Sequence, residues 1–287
     1  YWGNLAAFRL LSWLGEHTDR VIVGVIASTT VVGFYDSARR WAWYPFVELY
    51  ISLSDVAVAS FSRLRDDAAR FAAVVRMAVT PLLAACLPAI AFLFVEARVV
   101  VLVLLGDQWL DAVPYLRLMC VAAFAGSLRH PTTWLYLSRG ETRRQLRWAL
   151  LFQTPLQIAA VVVGISWGAF GVAAGFTAAN VVLAIPAVAY CLRVTPIDLR
   201  AYTAMVWRPV VSALTAAVAL AFAAPRLIAG LAPVLALPAA LLLYAIAYLA
   251  VWLALPGGRA AARELLAMVT ALRPRAPSTP APAGAEG

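Results

Sequence analysis

The sequence predicts an all-α integral membrane protein with about eight transmembrane helices. Three observations carry that prediction. Hydrophobic residues make up 64% of the 287-residue chain and charged residues only 13%, where an average soluble domain carries about 25% charged residues. The mean hydropathy is +0.85. The apolar residues also come in long continuous runs, without the alternation over ~10-residue pieces that a membrane barrel shows.

The first span covers residues 3–29. Its middle, Glu16-His17-Thr18-Asp19-Arg20, is strongly polar. Arg9, Ser12, Glu16, Asp19 and Arg20 share one face, and Glu16 and Arg20 have the i,i+4 spacing of an ion pair. The second span, 33–61, carries Asp36, Arg40, Tyr44, Glu48 and Asp55 within an arc of roughly 120°. From Asp36 to Asp55 a helix rises about 28 Å, close to the thickness of a bilayer's hydrocarbon core. Pro45 removes a backbone donor inside this span and predicts a kink.

The third span, 71–95, contains Pro81 and Pro88. Val99 to Leu105 is too short to cross and lies at the interface or re-enters slightly. Gly106-Asp107-Gln108-Trp109 reads as a turn. The fourth span, 111–137, carries Arg117, Arg129 and His130. The fifth covers 146–165, and a tight link at Ser166-Trp167-Gly168 leads into the sixth, 169–192. Gly171, Ala173, Ala174 and Gly175 open the sixth span with small residues that permit close helix approach. The chain therefore divides into a six-helix transmembrane lobe over 1–192, a cytoplasmic loop over 193–206 and a transmembrane helix pair over 207–255. Residues 256–287 form a basic, Pro/Ala-rich cytoplasmic tail, expected to be largely disordered.

The net charge of +9 comes entirely from arginine, because the chain has no lysine. The arginines cluster between apolar spans, so helix orientation explains them better than nucleic acid does. Alternate loops hold Arg63, Arg65 and Arg70, then Arg139, Arg143, Arg144 and Arg147, then Arg193 and Arg200, then Arg259, Arg263, Arg273 and Arg275. The intervening loops hold little beyond Arg98 and Arg226. This asymmetry places the arginine-rich loops and the C-terminus in the cytoplasm. The sequence begins at Tyr1 and reads as helix from its first residues, which suggests a fragment whose N-terminal part is missing.

No enzyme signature is present: there is no phosphate-binding P-loop, no H-E-x-x-H, and no G-x-S-x-G setting for a serine. Every loop is short, leaving no room for a soluble catalytic domain. Cys86, Cys120 and Cys191 stand singly in apolar runs and suggest neither a metal site nor a disulfide. The expectation is a non-enzyme with no cofactor and no metal.

The chemistry rests on the polar faces of the first two spans. Charges at membrane depth face a bundle interior or a watery cavity, so these faces either wall a passage or seal helix contacts with internal ion pairs. The candidate passage residues are Arg9, Glu16, Asp19, Arg20, Asp36, Arg40, Tyr44, Glu48 and Asp55. Glu16, His17, Asp19, Glu48 and Asp55 are candidates for coupling to a proton or sodium ion. The arginines suit an anionic head group such as a phosphate or acidic sugar. Arg117 and Arg129 either add to the site or snorkel toward a helix end. Trp41, Trp43, Tyr44 and Tyr50 either stack on sugar rings or pack against neighbours.

Four stretches carry a family resemblance: Asp19-Arg20-Val21-Ile22-Val23-Gly24 with Gly33-Phe34-Tyr35-Asp36-Ser37-Ala38 and Pro45; Ser62-Arg63-Leu64 with Asp66-Asp67; Leu104 to Leu118; and Gly140, Gly164 and Gly168 to Ala173. In their order and spacing, over about residues 1–200, the chain resembles the second half of a polysaccharide flippase. The family is the multidrug/oligosaccharidyl-lipid/polysaccharide exporter superfamily, near its Wzx-like O-antigen and lipopolysaccharide biosynthesis members. Ala59 departs from the pattern, since similar sequences often have a proline there.

The resemblance implies two six-helix lobes plus a C-terminal pair, so that an N-terminal six-helix lobe is missing. It also implies flipping of an undecaprenyl-diphosphate-linked oligosaccharide by alternating access in the bacterial inner membrane. The implied partners are this glycolipid, membrane lipid and polysaccharide polymerase machinery. The rival expectations are a membrane-embedded glycan polymerase or ligase, and an inactive half-transporter serving as a scaffold.

Overall fold

A computed structural model describes residues 2–227 and 230–263. Arg9, Ser12 and Glu16 lie outside the described residues as far as their side chains are concerned, and the tail from residue 264 lies outside them altogether. Among the described residues the architecture is all-α. Its helices are α1 (Trp2–Ile26), α2 (Thr29–Arg63), α3 (Ala68–Val95), α4 (Ala97–Leu104), α5 (Val113–Arg129), α6 (Thr132–Arg139), α7 (Thr142–Trp148), α8 (Thr154–Gly164), α9 (Gly168–Leu192), α10 (Leu199–Leu227) and α11 (Pro233–Ala254).

Among the described residues five stretches are long and apolar enough to cross a membrane: Ala68–Val95, Asp107–Arg139, Thr142–Leu192, Leu199–Leu227 and Pro233–Ala254. The protein is thus an all-α integral membrane protein. The Thr142–Leu192 stretch holds 51 residues, enough for two crossings, and it folds back at Gly168, whose φ is 66°. α1 and α2 are long enough to cross, and their charged side chains set them apart from these five.

Capping residues explain several boundaries. Ser28 caps α2 by accepting from the Val31 N–H, and Asp67 caps α3 by accepting from the Arg70 N–H. α2 remains α-helical straight through Pro45. The expected fourth span divides, because Pro131 cannot continue the backbone bonding of α5 and α6 begins afresh at Thr132. Gly140, with φ at 74°, then ends α6. The loop expected over 193–206 is corrected to six residues: Asp198 accepts from the Ala201 N–H at 2.7 Å, so α10 starts at Leu199, eight residues early.

The core lies between α2, α3, α5, α6 and α9. Tyr35, Phe46, Phe61, Phe71, Trp134 and Phe176 are its largest fully buried side chains. Tyr50 stacks on Trp134 at 4.8 Å, and the Trp134 indole N–H donates to Ser54 at 2.9 Å, fastening α6 to α2. The small residues of α9 let it lie against α8 backbone to backbone. A Cβ at Gly175 would stand 2.1 Å from the Ala160 carbonyl oxygen, and one at Gly164 would stand 2.3 Å from that of Gly171.

α10 and α11 pack together and lean on α3. The Tyr244 hydroxyl donates to the Ala213 carbonyl at 3.1 Å, and the Tyr248 hydroxyl to that of Ala84 at 3.0 Å. The arginine-rich segments meet at one end of the bundle. Arg139 donates to the Arg65 carbonyl at 2.7 Å, and Arg208, near the start of α10, donates to the Pro256 carbonyl beyond α11 at 3.0 Å.

Candidate functional site

The helical period gives α2 two different sides. Tyr35, Arg39, Ala42 and Phe46 recur every three or four residues and are buried. Arg40, Tyr44 and Glu48 recur at i,i+4 on the other side and are exposed. Arg39 and Arg40 are adjacent in sequence, yet a turn of about 100° per residue sends one inward and the other outward.

On the inward side, Asp19 of α1 is fully buried. Its Oδ2 accepts from the Arg39 guanidinium and from the Tyr35 hydroxyl. The same guanidinium lies 4.4 Å from the centre of the Phe176 ring on α9. A buried carboxylate needs such partners, because its desolvation is otherwise prohibitive. Beside this cluster Arg129 of α5 is also buried. It donates to Gln153 Oε1 and to Asn180 Oδ1, each at 3.2 Å. Gln153 ends a π-helical turn, Ala149–Gln153, between α7 and α8. His130 follows in a nest of rings, with centroids 5.3 Å from Trp43, 5.4 Å from Phe46 and 6.1 Å from Tyr50. Asn180 sits at the midpoint of α9, so these polar groups lie near the middle of the bundle.

Along α2 lies a groove of about 630 Å3, lined by residues of both sides. Arg20, Arg40, Tyr44 and Glu48 line it, with Trp43, Tyr50 and His130, and the buried Arg39, Phe46, Phe176 and Asn180 also line it. Arg20 Nε is 3.1 Å from Asp36 Oδ1, and both side chains are roughly 40% exposed. Among the described residues no ion pair reaches Arg40, Glu48 or Asp55. The groove therefore presents three arginines, of which Arg39 is paired with Asp19 and Arg20 with Asp36, one carboxylate without an ion pair among the described residues, and several aromatic rings. Guanidinium groups bind phosphate or carboxylate bidentately, and aromatic faces stack on sugar rings.

The sequence-predicted residues fall into three groups. Arg20, Arg40, Tyr44 and Glu48 share the groove. Asp36 pairs with Arg20 outside the groove's lining, and Asp55 is exposed beyond it. Asp19 is buried and does not line the groove, because Arg39 and Tyr35 hold it inward. His17 Nδ1 donates to the Trp13 carbonyl at 2.9 Å, and its ring stacks on Trp13. The side chains of Arg9 and Glu16 lie outside the described residues, so the Glu16–Arg20 pair does too. Of the two arginines of the fourth span, Arg129 is buried in the polar cluster and Arg117 is exposed.

Sequence reasoning missed Gln153, Asn180 and Phe176 as neighbours of the site. Each stands alone in an apolar run, and only the packing of α8 and α9 against α1 and α5 brings them there. No group of three or more His, Cys, Asp or Glu side chains able to hold a metal ion occurs among the described residues.

Comparison with known proteins bears on this geometry. A family model described as polysaccharide biosynthesis protein matches residues 1–114. The resemblance is to polysaccharide biosynthesis proteins of the Wzx kind. Lipopolysaccharide biosynthesis protein WzxC of Escherichia coli (strain K12) is 24% identical to this chain over 209 residues, covering 71% of the chain and 42% of the relative. The chain thus spans less than half the length of that relative. No solved structure matches. The matched segment contains α1 to α4, and with them Arg20, Arg40, Tyr44 and Glu48. His130, Phe176 and Asn180 lie beyond it.

Proposed function

We propose that this chain forms one lobe of a flippase that moves a lipid-linked oligosaccharide across the membrane for surface polysaccharide or lipopolysaccharide biosynthesis. The observation that carries this reading is the open groove along α2, lined by Arg20, Arg40 and Glu48. Charge there is costly unless water or a polar ligand meets it. A diphosphate-linked sugar supplies both requirements: phosphate oxygens for the guanidinium groups, and pyranose faces for Trp43, Tyr44 and Tyr50. The prenyl tail remains in lipid, where no polar group has to be removed from water.

The groove is open on one side, and in this reading a second six-helix lobe supplies the opposite wall. Rocking of the two lobes exposes the groove to each leaflet in turn. The relative's greater length supports that arrangement. The arginine-rich end, where Arg139 meets Arg65 and Arg208 meets Pro256, faces the cytoplasm of the inner membrane. Glu48, the carboxylate of the groove without an ion pair among the described residues, is the position at which a proton or sodium ion would couple. Asp19 is less suited, because Arg39 already neutralises it.

The reading is tested by alanine at Arg40 and at Glu48 in the full-length protein, with a leaflet assay for lipid-linked glycan. Each substitution should abolish outward movement while leaving protein levels unchanged. Normal transport in both variants would remove the groove from the pathway.

A further inference from the structure

A smaller chamber, of about 190 Å3, lies between the end of α5, α6, α7 and the π turn. At a liquid volume of about 30 Å3 per molecule it has room for about six waters. Arg129, His130, Thr133, Gln145, Trp148 and Gln153 line it, so most of its wall carries polar atoms. Among the described residues no carboxylate lines it, and His130 is the one side chain that it shares with the groove on α2.

Part of this polar wall is already bonded within the protein. Arg129 donates to Gln153 and Asn180, and Gln145 Nε2 donates to Thr133 Oγ1 at 3.4 Å. The demand that is left lies on α7. Gln145 and Trp148 are three residues apart and share one face of that helix. They are only 2% and 8% exposed. Yet among the described residues Gln145 Oε1 and Trp148 Nε1 have no hydrogen-bond partner, and neither has His130 Nε2. Buried polar atoms are ordinarily bonded to protein or to ordered water, because a bare one forfeits its hydration. Trp134 on α6 shows the ordinary case, with its indole N–H bonded to Ser54. The Gln145 oxygen can only accept and the Trp148 N–H can only donate, so the occupant must do both within one helical turn. A metal cation would face the Arg129 guanidinium and the indole N–H, and a halide has no hydrogen to give Gln145. Water accepts and donates equally.

We infer that this chamber is a site for a cluster of ordered waters, continuous with the groove through His130. The waters satisfy Gln145 and Trp148 at one end and meet His130 Nε2 at the other, where the groove begins. The polar centre around Arg129 is thereby hydrated from within the lobe. The inference concerns water alone and holds whatever the groove carries.

The test is radiolytic hydroxyl-radical labelling of the full chain in lipid nanodiscs, read by mass spectrometry. Radicals form from water where it stands, so a buried ring beside ordered water is labelled and a dry one is not. Trp148 should be labelled several-fold faster than Trp134, the buried indole outside the chamber. This first comparison needs no variant and is unaffected by any failure to fold. Q145L removes the orphaned acceptor and should bring Trp148 down to the rate of Trp134. H130W fills the junction with the groove and should slow labelling of Trp148 several-fold. In both variants a low rate at Trp134 reports that the bundle is folded. Equal rates at Trp148 and Trp134 in the native chain, or an unchanged rate at Trp148 in folded Q145L, would overturn the water site. An unchanged rate in folded H130W would overturn its continuity with the groove. Protection of Trp148 by added glucose would also overturn the inference, and would assign the chamber to a hydroxyl-bearing ligand instead.

Discussion

The two sides of α2 are built from the same residue types and serve opposite ends. On the inward side Arg39 has a buried carboxylate, a tyrosine hydroxyl and an aromatic face as partners, so its charge is fully compensated within the protein. On the outward side Arg40 and Glu48 are exposed in the same groove that Arg39 also lines, and no ion pair reaches them among the described residues. A membrane helix with a polar stripe is thus not uniformly a passage wall or uniformly a seal. Its charges are divided by the helical period, and burial decides which of them hold the lobe together and which remain available to a ligand.

That division predicts unequal costs. The largest falls on the inward side. Asp19→Ala or Arg39→Ala leaves an uncompensated buried charge and should lower unfolding stability by about 3–5 kcal/mol, read as a collapse in folded protein after detergent extraction. Replacing both together, as Asp19→Asn with Arg39→Met, should recover most of the loss. If the double variant is as poor as either single one, the cluster holds the lobe by something other than charge pairing.

Next comes the contact between α8 and α9. Gly175→Val forces a side chain against the Ala160 carbonyl and should cost about 1–3 kcal/mol, seen as a lower Tm. An unchanged Tm would mean that the two helices separate without loss.

A smaller and pH-confined effect belongs to Glu96, at the junction of α3 and α4. Burial raises its pKa above the ordinary carboxylate value by desolvation. The folded state therefore holds this proton more tightly than the unfolded state does. The stability it contributes is complete below the ordinary carboxylate pKa and is lost as pH rises through the raised folded value. Glu96→Gln should match the native protein in acid, exceed it in Tm at neutral pH and flatten the profile between. A Tm advantage that is the same at every pH would remove the titration from the explanation.

The smallest stability effect is expected at the groove. Arg40→Ala and Glu48→Ala should change Tm by no more than about 0.5 kcal/mol of stability, as for exposed side chains without partners. Their effect on glycan movement should be large. A comparable loss of stability at Arg40 and at Arg39 would erase the difference between the two sides.

Much of this architecture was legible in the chain. Composition and apolar run length gave the all-α membrane class, and the small residues Gly171 and Gly175 announced the close packing of α9. Boundaries were less legible where capping outweighs hydropathy. Asp198 starts α10 within a segment too basic to read as membrane helix, and Pro131 divides a run that hydropathy alone would join. In the site, the i,i+4 spacing puts Arg40, Tyr44 and Glu48 on one exposed line. It could not separate Asp19 from them, since Asp19 is on another helix and its partners Arg39 and Tyr35 are 20 and 16 residues away.

The sequence by itself determined that the chain is a membrane helix bundle, that its arginines gather between apolar runs, and that its first two helices carry charged stripes. Those properties follow from local composition and period, which a chain carries before it folds. Only the tertiary structure decided which charges are enclosed. Burial depends on what the other helices bring: Phe176 against Arg39 from α9, and Gln153 and Asn180 to Arg129 from the π turn and α9. The physical reason is that the cost of a charge at depth is set by its surroundings, and those surroundings come from segments distant in the chain.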